Sequence, residues 1–186
     1  MINIKNDISW QAIICGVGGQ GVLYVNRILA LAAQTMNLEV LVSEVHGMAQ
    51  RGGSVLSHLR AGMFRSPLVP MGQADLLFAL EKNEAIRNIP YLRPHARLVV
   101  NAPNLKFLSE AGREQLARQQ IKIFTLDAAV KARQSGNPVN ILLLAGAAQA
   151  GILPVSQPVL KKIVIKTAND GQRSGDMWEQ ALSLTS

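Results

Sequence analysis

The sequence predicts an α/β protein, a three-layer α/β/α sandwich with a mostly parallel, Rossmann-like sheet. Short β-branched or apolar runs alternate with runs of helical period through the first two thirds of the chain. A glycine-rich turn joins the first apolar run to the first helical one, and the connection into the second apolar run is short, as in a βαβ unit. With 48% hydrophobic and 17% charged residues over 186 positions, the composition excludes disorder and suits one globular domain, 1–186.

Residues 11–15 (QAIIC) form an apolar run bounded by glycine. Val22, Val25, Leu29, Ala32 and Met36 follow at spacings of 3, 4, 3 and 4, which place them on one helix face. Asn37 ends that helix, and residues 40–42 give a second strand, expected to run parallel to the first. Beyond the Gly-rich loop 46–53, residues 54–60 alternate Val55, Ser57 and Leu59 with Leu56, His58 and Arg60, the pattern of a half-buried or edge strand. Pro67, Pro70 and Gly72 make 64–72 an extended connection.

Residues 76–80 (LLFAL) are apolar on both faces, as a central strand between two helical layers should be. A short helix over 83–88 ends before Pro90, 98–100 forms a further buried strand, 110–119 a surface helix and 121–126 a last strand. Asp127 caps a helix with its carboxylate. The last third reads as helical over 139–150, closed by Gly151, over 157–165, capped by Ser156, and over 175–184.

Lys and Arg number 19 against 12 Asp and Glu, a net charge of +7 that favours anionic partners or leaves a solvated basic surface. Eight aromatic residues in all, none interleaved with basic ones, argue against a nucleic-acid partner. The lone cysteine, Cys15, can assemble no disulfide, zinc site or iron–sulfur cluster, and His46, His58 and His95 have no metal-ligand spacing, so no metal site is expected. The longest apolar stretch, 141–153, falls short of the ~20 residues a span requires, and the N-terminus lacks an apolar signal region. The expectation is a cytoplasmic protein with no membrane partner.

Two constellations could carry function. Gly16-Val17-Gly18-Gly19-Gln20-Gly21 has the spacing G-x-G-x-x-G between a strand and a helix. Glycines at 16 and 18 would permit positive φ and close approach of main chain to a phosphate, with the N–H groups opening the Val22 helix facing the anion. Glu44 lies 23 residues after Gly21, where a dinucleotide fold keeps its ribose-binding carboxylate. A turn that packs a helix on a sheet, or docks another protein, explains the same glycines. The second constellation runs from Ser43 to Ser54, where Gln50, Arg51, Gly52, Gly53 and Ser54 could receive a phosphate or carboxylate through the guanidinium and main-chain N–H groups. Arg51 bracing the loop against Glu44 is the structural alternative. No nucleophile elbow, metalloprotease helix or Walker sequence is present, and no catalytic residue is assigned.

G-V-G-G-Q-G-V at 16–22, S-E-V-H-G-M-A-Q-R-G-G at 43–53, S-H-L-R at 57–60 and A-D-L-L-F-A-L-E at 74–81 resemble the gamma-type subunit or domain of 2-oxoacid:ferredoxin oxidoreductases. The likeness continues through S-P-L-V-P at 66–70, V-V-N at 99–101 and G-N-P-V-N at 136–140, covering residues 10–155. The second block is more similar to the small (beta) subunit of indolepyruvate ferredoxin oxidoreductase than to gamma chains of the pyruvate enzymes. The resemblance implies an accessory subunit in CoA-dependent oxidative decarboxylation of a 2-oxoacid, indolepyruvate or another arylpyruvate, with ferredoxin accepting electrons through the complex.

Thiamine diphosphate, magnesium and iron–sulfur clusters are then expected in partner subunits, and this chain would cover the active site and help hold coenzyme A through Gly16, Gly18, Gly19, Gln20, Gly21, Glu44, Gln50, Arg51, Gly52, Gly53 and Ser54. No cofactor is expected to bind it tightly, and isolated it could form a homo-oligomer. The basic run at 161–166 departs from the family's acidic helix and implies an altered subunit contact. Two rival readings stand beside this one: a free-standing NAD(P)-binding oxidoreductase using Gly16, Gly18, Gly21 and Glu44, and a pure assembly module.

Overall fold

The computed structural model describes residues 8–46, 52–168 and 170–185. Its elements in chain order are β1 (Trp10–Val17), α1 (Val22–Thr35), β2 (Val40–His46), β3 (Ser54–Ala61), β4 (Ala74–Ala79) and α2 (Lys82–Asn88). A 3-10 turn (Ile89–Tyr91) leads into β5 (Leu92–Asn101), α3 (Glu110–Arg118), β6 (Lys122–Leu126), α4 (Ala128–Ser135), α5 (Val139–Gln149), α6 (Gln157–Thr167) and α7 (Gly171–Thr185). The strands form one sheet in the order β2-β3-β1-β4-β5-β6. β1, β4, β5 and β6 pair in parallel, while β3 runs antiparallel to both its neighbours. Five strands therefore point one way, and the α/β sandwich with a mostly parallel sheet is the observed architecture.

The two faces of the sheet carry separate cores. Ala12 and Ile14 of β1, Leu59 of β3, Leu76 and Phe78 of β4 and Val99 of β5 pack with α1, α5, α6 and α7 on one side. Ile13, Cys15, Leu77, Ala79, Leu98 and Val100, the alternate residues of the same strands, pack with Ala85 of α2, Leu116 of α3 and Val69 on the other. Burial on both faces is why 11–15 and 76–80 read as unbroken apolar runs. Helix α5 is buried all round from Ile141 to Ala148, so it is a core helix and shows no amphipathic stripe.

Several expectations are corrected in detail. β3 is an interior strand. It lies between β1 and β2, so those two are not hydrogen-bonded neighbours although they point the same way. Its polar face is covered by the segment that follows: Arg60 donates through Nη1 to the carbonyls of Ser66 (2.9 Å) and Leu68 (3.1 Å), and His58 Nδ1 accepts from the Val69 N–H at 3.2 Å. Pro90 is accommodated in the 3-10 turn after α2, α7 begins four residues earlier than the sequence suggests, and Ser156 precedes α6 without a side-chain capping bond. Asp127 does cap α4, accepting from the Val130 N–H at 3.1 Å.

Candidate functional site

The carboxyl end of β1 runs into the glycine turn, which is closed at both ends by one residue. The Gln20 N–H donates to the Val17 carbonyl at 3.0 Å, and Gln20 Oε1 accepts from the Val17 N–H at 2.8 Å. The amide oxygen of that side chain is thereby engaged in holding the turn. The left-handed residues are Gly19 (φ 95°) and Gly21 (φ 86°); Gly16 and Gly18, expected at positive φ, are not among them. Gly16 is the last-but-one residue of β1, paired with Val55. A Cβ there would stand 2.8 Å from Gln20 Oε1, 3.0 Å from Val22 Cγ2 and 3.1 Å from Leu80 Cβ, so its missing side chain is a packing requirement.

Gly21 occupies the N-cap position of α1, and its carbonyl accepts the first helical bond from the Val25 N–H at 3.1 Å. A Cβ on it would fall 2.2 Å from Asn140 Nδ2. Gly19 differs, because nothing lies within 4 Å of where its Cβ would be. Of the four glycines, Gly19 is the one whose bareness leaves main chain open to an outside group.

The second loop meets the first. Gly18 donates its N–H to the Gly53 carbonyl at 2.9 Å, and its own Cβ position lies 3.6 Å from the Gly52 nitrogen. Gly52 is left-handed (φ 75°) and, like Gly19, has no neighbour within 4 Å of its Cβ position. Ser54, which opens β3 opposite Val17, donates from Oγ to Glu84 Oε2 at 2.7 Å. Glu84 is buried on α2 and is also ion-paired with Arg87, and its own N–H donates to the N-cap carboxylate of Glu81 at 2.9 Å. Ser54 is therefore an anchor that fixes where Gly52 and Gly53 sit. Gln50 and Arg51, and with them the alternatives of an anion clamp or a brace to Glu44, lie outside the described residues.

Beside the first turn lies a cleft of about 340 Å³ walled by Val17, Gly18, Gly19, Gly21, Val22 and Leu23, with Val55 of β3. Glycine main chain and aliphatic side chains supply hydrogen bonds and apolar contact, but no group that gives or takes a proton. The opening turn of α1 adds N–H groups without intrahelical partners and the positive end of the helix dipole. Main-chain N–H groups and the positive end of the α1 dipole are electrostatically suited to an anionic group.

Glu44 is not part of it. On β2 it pairs with Ser57, which in turn pairs with Ile14 of β1, so Glu44 lies level with Ile14 and two strand spacings away, roughly 10 Å. The expected pairing of a ribose carboxylate with the glycine turn is corrected by the insertion of β3. Cys15 is buried beneath the turn, where desolvation first and the Glu84 carboxylate second push its thiol pKa up, leaving it protonated and inert. The sequence reading missed Glu84 and Asn140. The Glu81-x-x-Glu84 spacing, a carboxylate at the N-cap and another three residues on, was the signal available for the first; Asn140 left none of its own.

A family model described as pyruvate ferredoxin/flavodoxin oxidoreductase matches residues 11–182. The chain belongs to this family. Within the pyruvate ferredoxin/flavodoxin oxidoreductase family, indolepyruvate oxidoreductase subunit IorB of Thermococcus kodakarensis is 32% identical over 173 residues, covering 83% of this chain and 84% of that protein. The same-named subunit of Archaeoglobus fulgidus is 47% identical over 89 residues, 48% of this chain, and there the chain spans only 44% of the relative's length. Among solved structures, 2-oxoglutarate:ferredoxin oxidoreductase from Magnetococcus marinus, with 2-oxoglutarate, coenzyme A and succinyl-CoA bound, aligns with 95% of this chain and 31% of its own. The TM-score is 0.71 at 16% identity, a likeness of fold. Among the described residues no helix is long and apolar enough to cross a membrane.

Proposed function

We propose that the chain is the small, non-catalytic subunit of a 2-oxoacid:ferredoxin oxidoreductase acting on indolepyruvate or a related arylpyruvate, and that its two glycine turns close over the active site and hold coenzyme A. The observation that carries this reading is the 2.9 Å bond from the Gly18 N–H to the Gly53 carbonyl, which makes one surface of two motifs 35 residues apart in sequence. Gly19 and Gly52 offer unobstructed main chain on that surface, the start of α1 favours a phosphate, and the aliphatic walls suit the uncharged arm of the cofactor. The residues present fit a CoA phosphate as a ligand. Arg51 is the cation the sequence supplies to the same loop.

With one cysteine and no catalytic set, the chain depends on partner subunits for thiamine diphosphate, magnesium and the iron–sulfur clusters, which take the acyl group and pass electrons to ferredoxin. The similarity to subunits named for indolepyruvate supports an aromatic oxoacid, and CoA in the 2-oxoglutarate enzyme supports that cofactor. The displaced Glu44 counts against the NAD(P) alternative.

The test is steady-state ferredoxin reduction by the complex reconstituted from this chain and its thiamine diphosphate-binding partner. Gly52→Val and Arg51→Ala should each raise the KM for CoA about tenfold or more, the latter reflecting loss of ~1.5–3 kcal/mol of charged hydrogen bonding, with the KM for oxoacid unchanged. An unchanged KM for CoA in both variants refutes the CoA role. Binding of NAD or NADP by the isolated chain, or oxoacid turnover without a partner, refutes the assignment itself.

A further inference from the structure

Toward the opposite end of the sheet, where β6 begins beside the middle of β5, Arg97 and Lys122 are register partners on adjacent parallel strands. Side chains so placed share one face of the sheet about 5 Å apart, and like charges in that position destabilise a strand pair. Among the described residues neither side chain has an ion pair or hydrogen bond, although acids are available in this fold: the nearby Asp75 is committed to Arg93 Nε (2.6 Å) and to the Gln11 N–H (2.7 Å).

Arg97 borders two cavities, and Lys122 shares the first of them. One, of about 270 Å³, is walled by Arg97, Lys122, Phe124 and the chain at Ala150–Ile152 where α5 ends. The other, of about 280 Å³, is walled by Arg97, His95, Trp10, Pro154 and the ion-paired Arg93 and Asp75, whose charges offset each other. The α5 terminus brings roughly half a negative charge, against two full positive ones. Trp10, 5% exposed, adds an indole Nε1 that has no hydrogen-bond acceptor.

We propose that the cavity beside the end of α5 is a binding site for a small dianion, a phosphate monoester or a dicarboxylate, held between Arg97 and Lys122. An anion with oxygens on two sides can accept from the guanidinium fork and the ammonium together, which removes the repulsion between them. Cavities of this size admit a compact ion and exclude a folded acidic partner. The site is separated from the glycine turns by the length of the parallel strands, so it stands whether or not those turns hold CoA.

The test is titration of the full chain with inorganic phosphate and, separately, with malonate, at ionic strength held constant with KCl, following Trp fluorescence and the thermal midpoint. At least one anion should saturate in the wild type, with affinity at least tenfold weaker in Arg97→Ala and in Lys122→Ala and unchanged in Lys106→Ala, an exposed cation elsewhere. In the absence of added anion the first two variants should melt at or above the wild-type midpoint, because each relieves the repulsion. Equal affinity in wild type and both site variants, no response to either anion, or a lower midpoint in both anion-free variants would overturn the proposal.

Discussion

Substituting Gly21 by alanine separates two reasons for a glycine that the sequence merges. At φ 86° an alanine incurs the left-handed backbone cost, about 1–2 kcal/mol. Its Cβ would also fall 2.2 Å from Asn140 Nδ2 and 3.1 Å from Asn140 Cγ. The Asn140 side chain is tied down by its Oδ1, which accepts from the Ile141 N–H at 3.0 Å, yet it borders an apolar cavity of about 280 Å³ into which it can swing. The clash then costs about 1 kcal/mol, at the low end for overpacking, and Gly21→Ala should lose roughly 2–3 kcal/mol, or ~4–12 °C in Tm for a chain of this length.

Asn140→Ala alone should lose ~0.5–1.5 kcal/mol with its hydrogen bond. In the double variant the clash is gone, so the loss should fall short of the sum of the single ones by about 1 kcal/mol, beyond the ~0.3–0.5 within which independent sites add. Urea unfolding of the four proteins measures this cycle. Strict additivity, or a Gly21→Ala protein as stable as wild type, would refute the account of α1's start as a packed joint between the glycine turn and α5.

The other glycines give contrasting expectations under the same assay: Gly16→Ala should cost ~1–3 kcal/mol through contact with Val22 and Leu80, whereas Gly19→Ala, with open space around it, should cost only the ~1–2 kcal/mol of its left-handed backbone. His58 supplies a pH prediction. Burial lowers its pKa below the ordinary 6.5, and its Nδ1 must stay unprotonated to accept from Val69. The unfolded chain therefore binds the proton more readily, so this contribution is fully present above about pH 6.5 and is lost as pH falls through that value toward the lower folded pKa. His58→Gln keeps an acceptor that does not titrate, and its stability should not share the wild-type decline between pH 7.5 and 5; an identical decline would remove His58 as the cause.

Local pattern made most elements legible. The unbroken apolar runs of β1 and β4 and the 3-4-3-4 spacing of α1 are consequences of burial on two faces or one, and burial leaves its period in the sequence. β3 escaped because its inward His58 and Arg60 look like residues of a solvated face. Their partners are the carbonyls and the N–H of 66–69, main-chain groups that no side-chain pattern records. Strand order is equally silent, since pairing β3 against β1 and β2 depends on contacts distant in sequence. At the site the positions of the glycines were readable and their separate duties were not. A residue lacking a Cβ looks the same whether the space is filled by Leu80, as at Gly16, or open, as at Gly19.

The insertion of β3 is the feature that redirects the G-x-G-x-x-G turn. In a sheet where the second strand lies directly beside the first, the carboxylate ending that strand reaches a ribose while the turn holds the pyrophosphate. Here an antiparallel strand occupies that place, and because it runs the other way, its beginning rather than its end lies beside the turn. What it brings there is Gly52-Gly53-Ser54, pinned by Glu84, in place of an acid. The same strand pushes Glu44 out to the sheet edge. One reversal of chain direction thus sets Glu44 two strands away from the turn and lays a second strip of bare main chain, Gly52-Gly53, against the first.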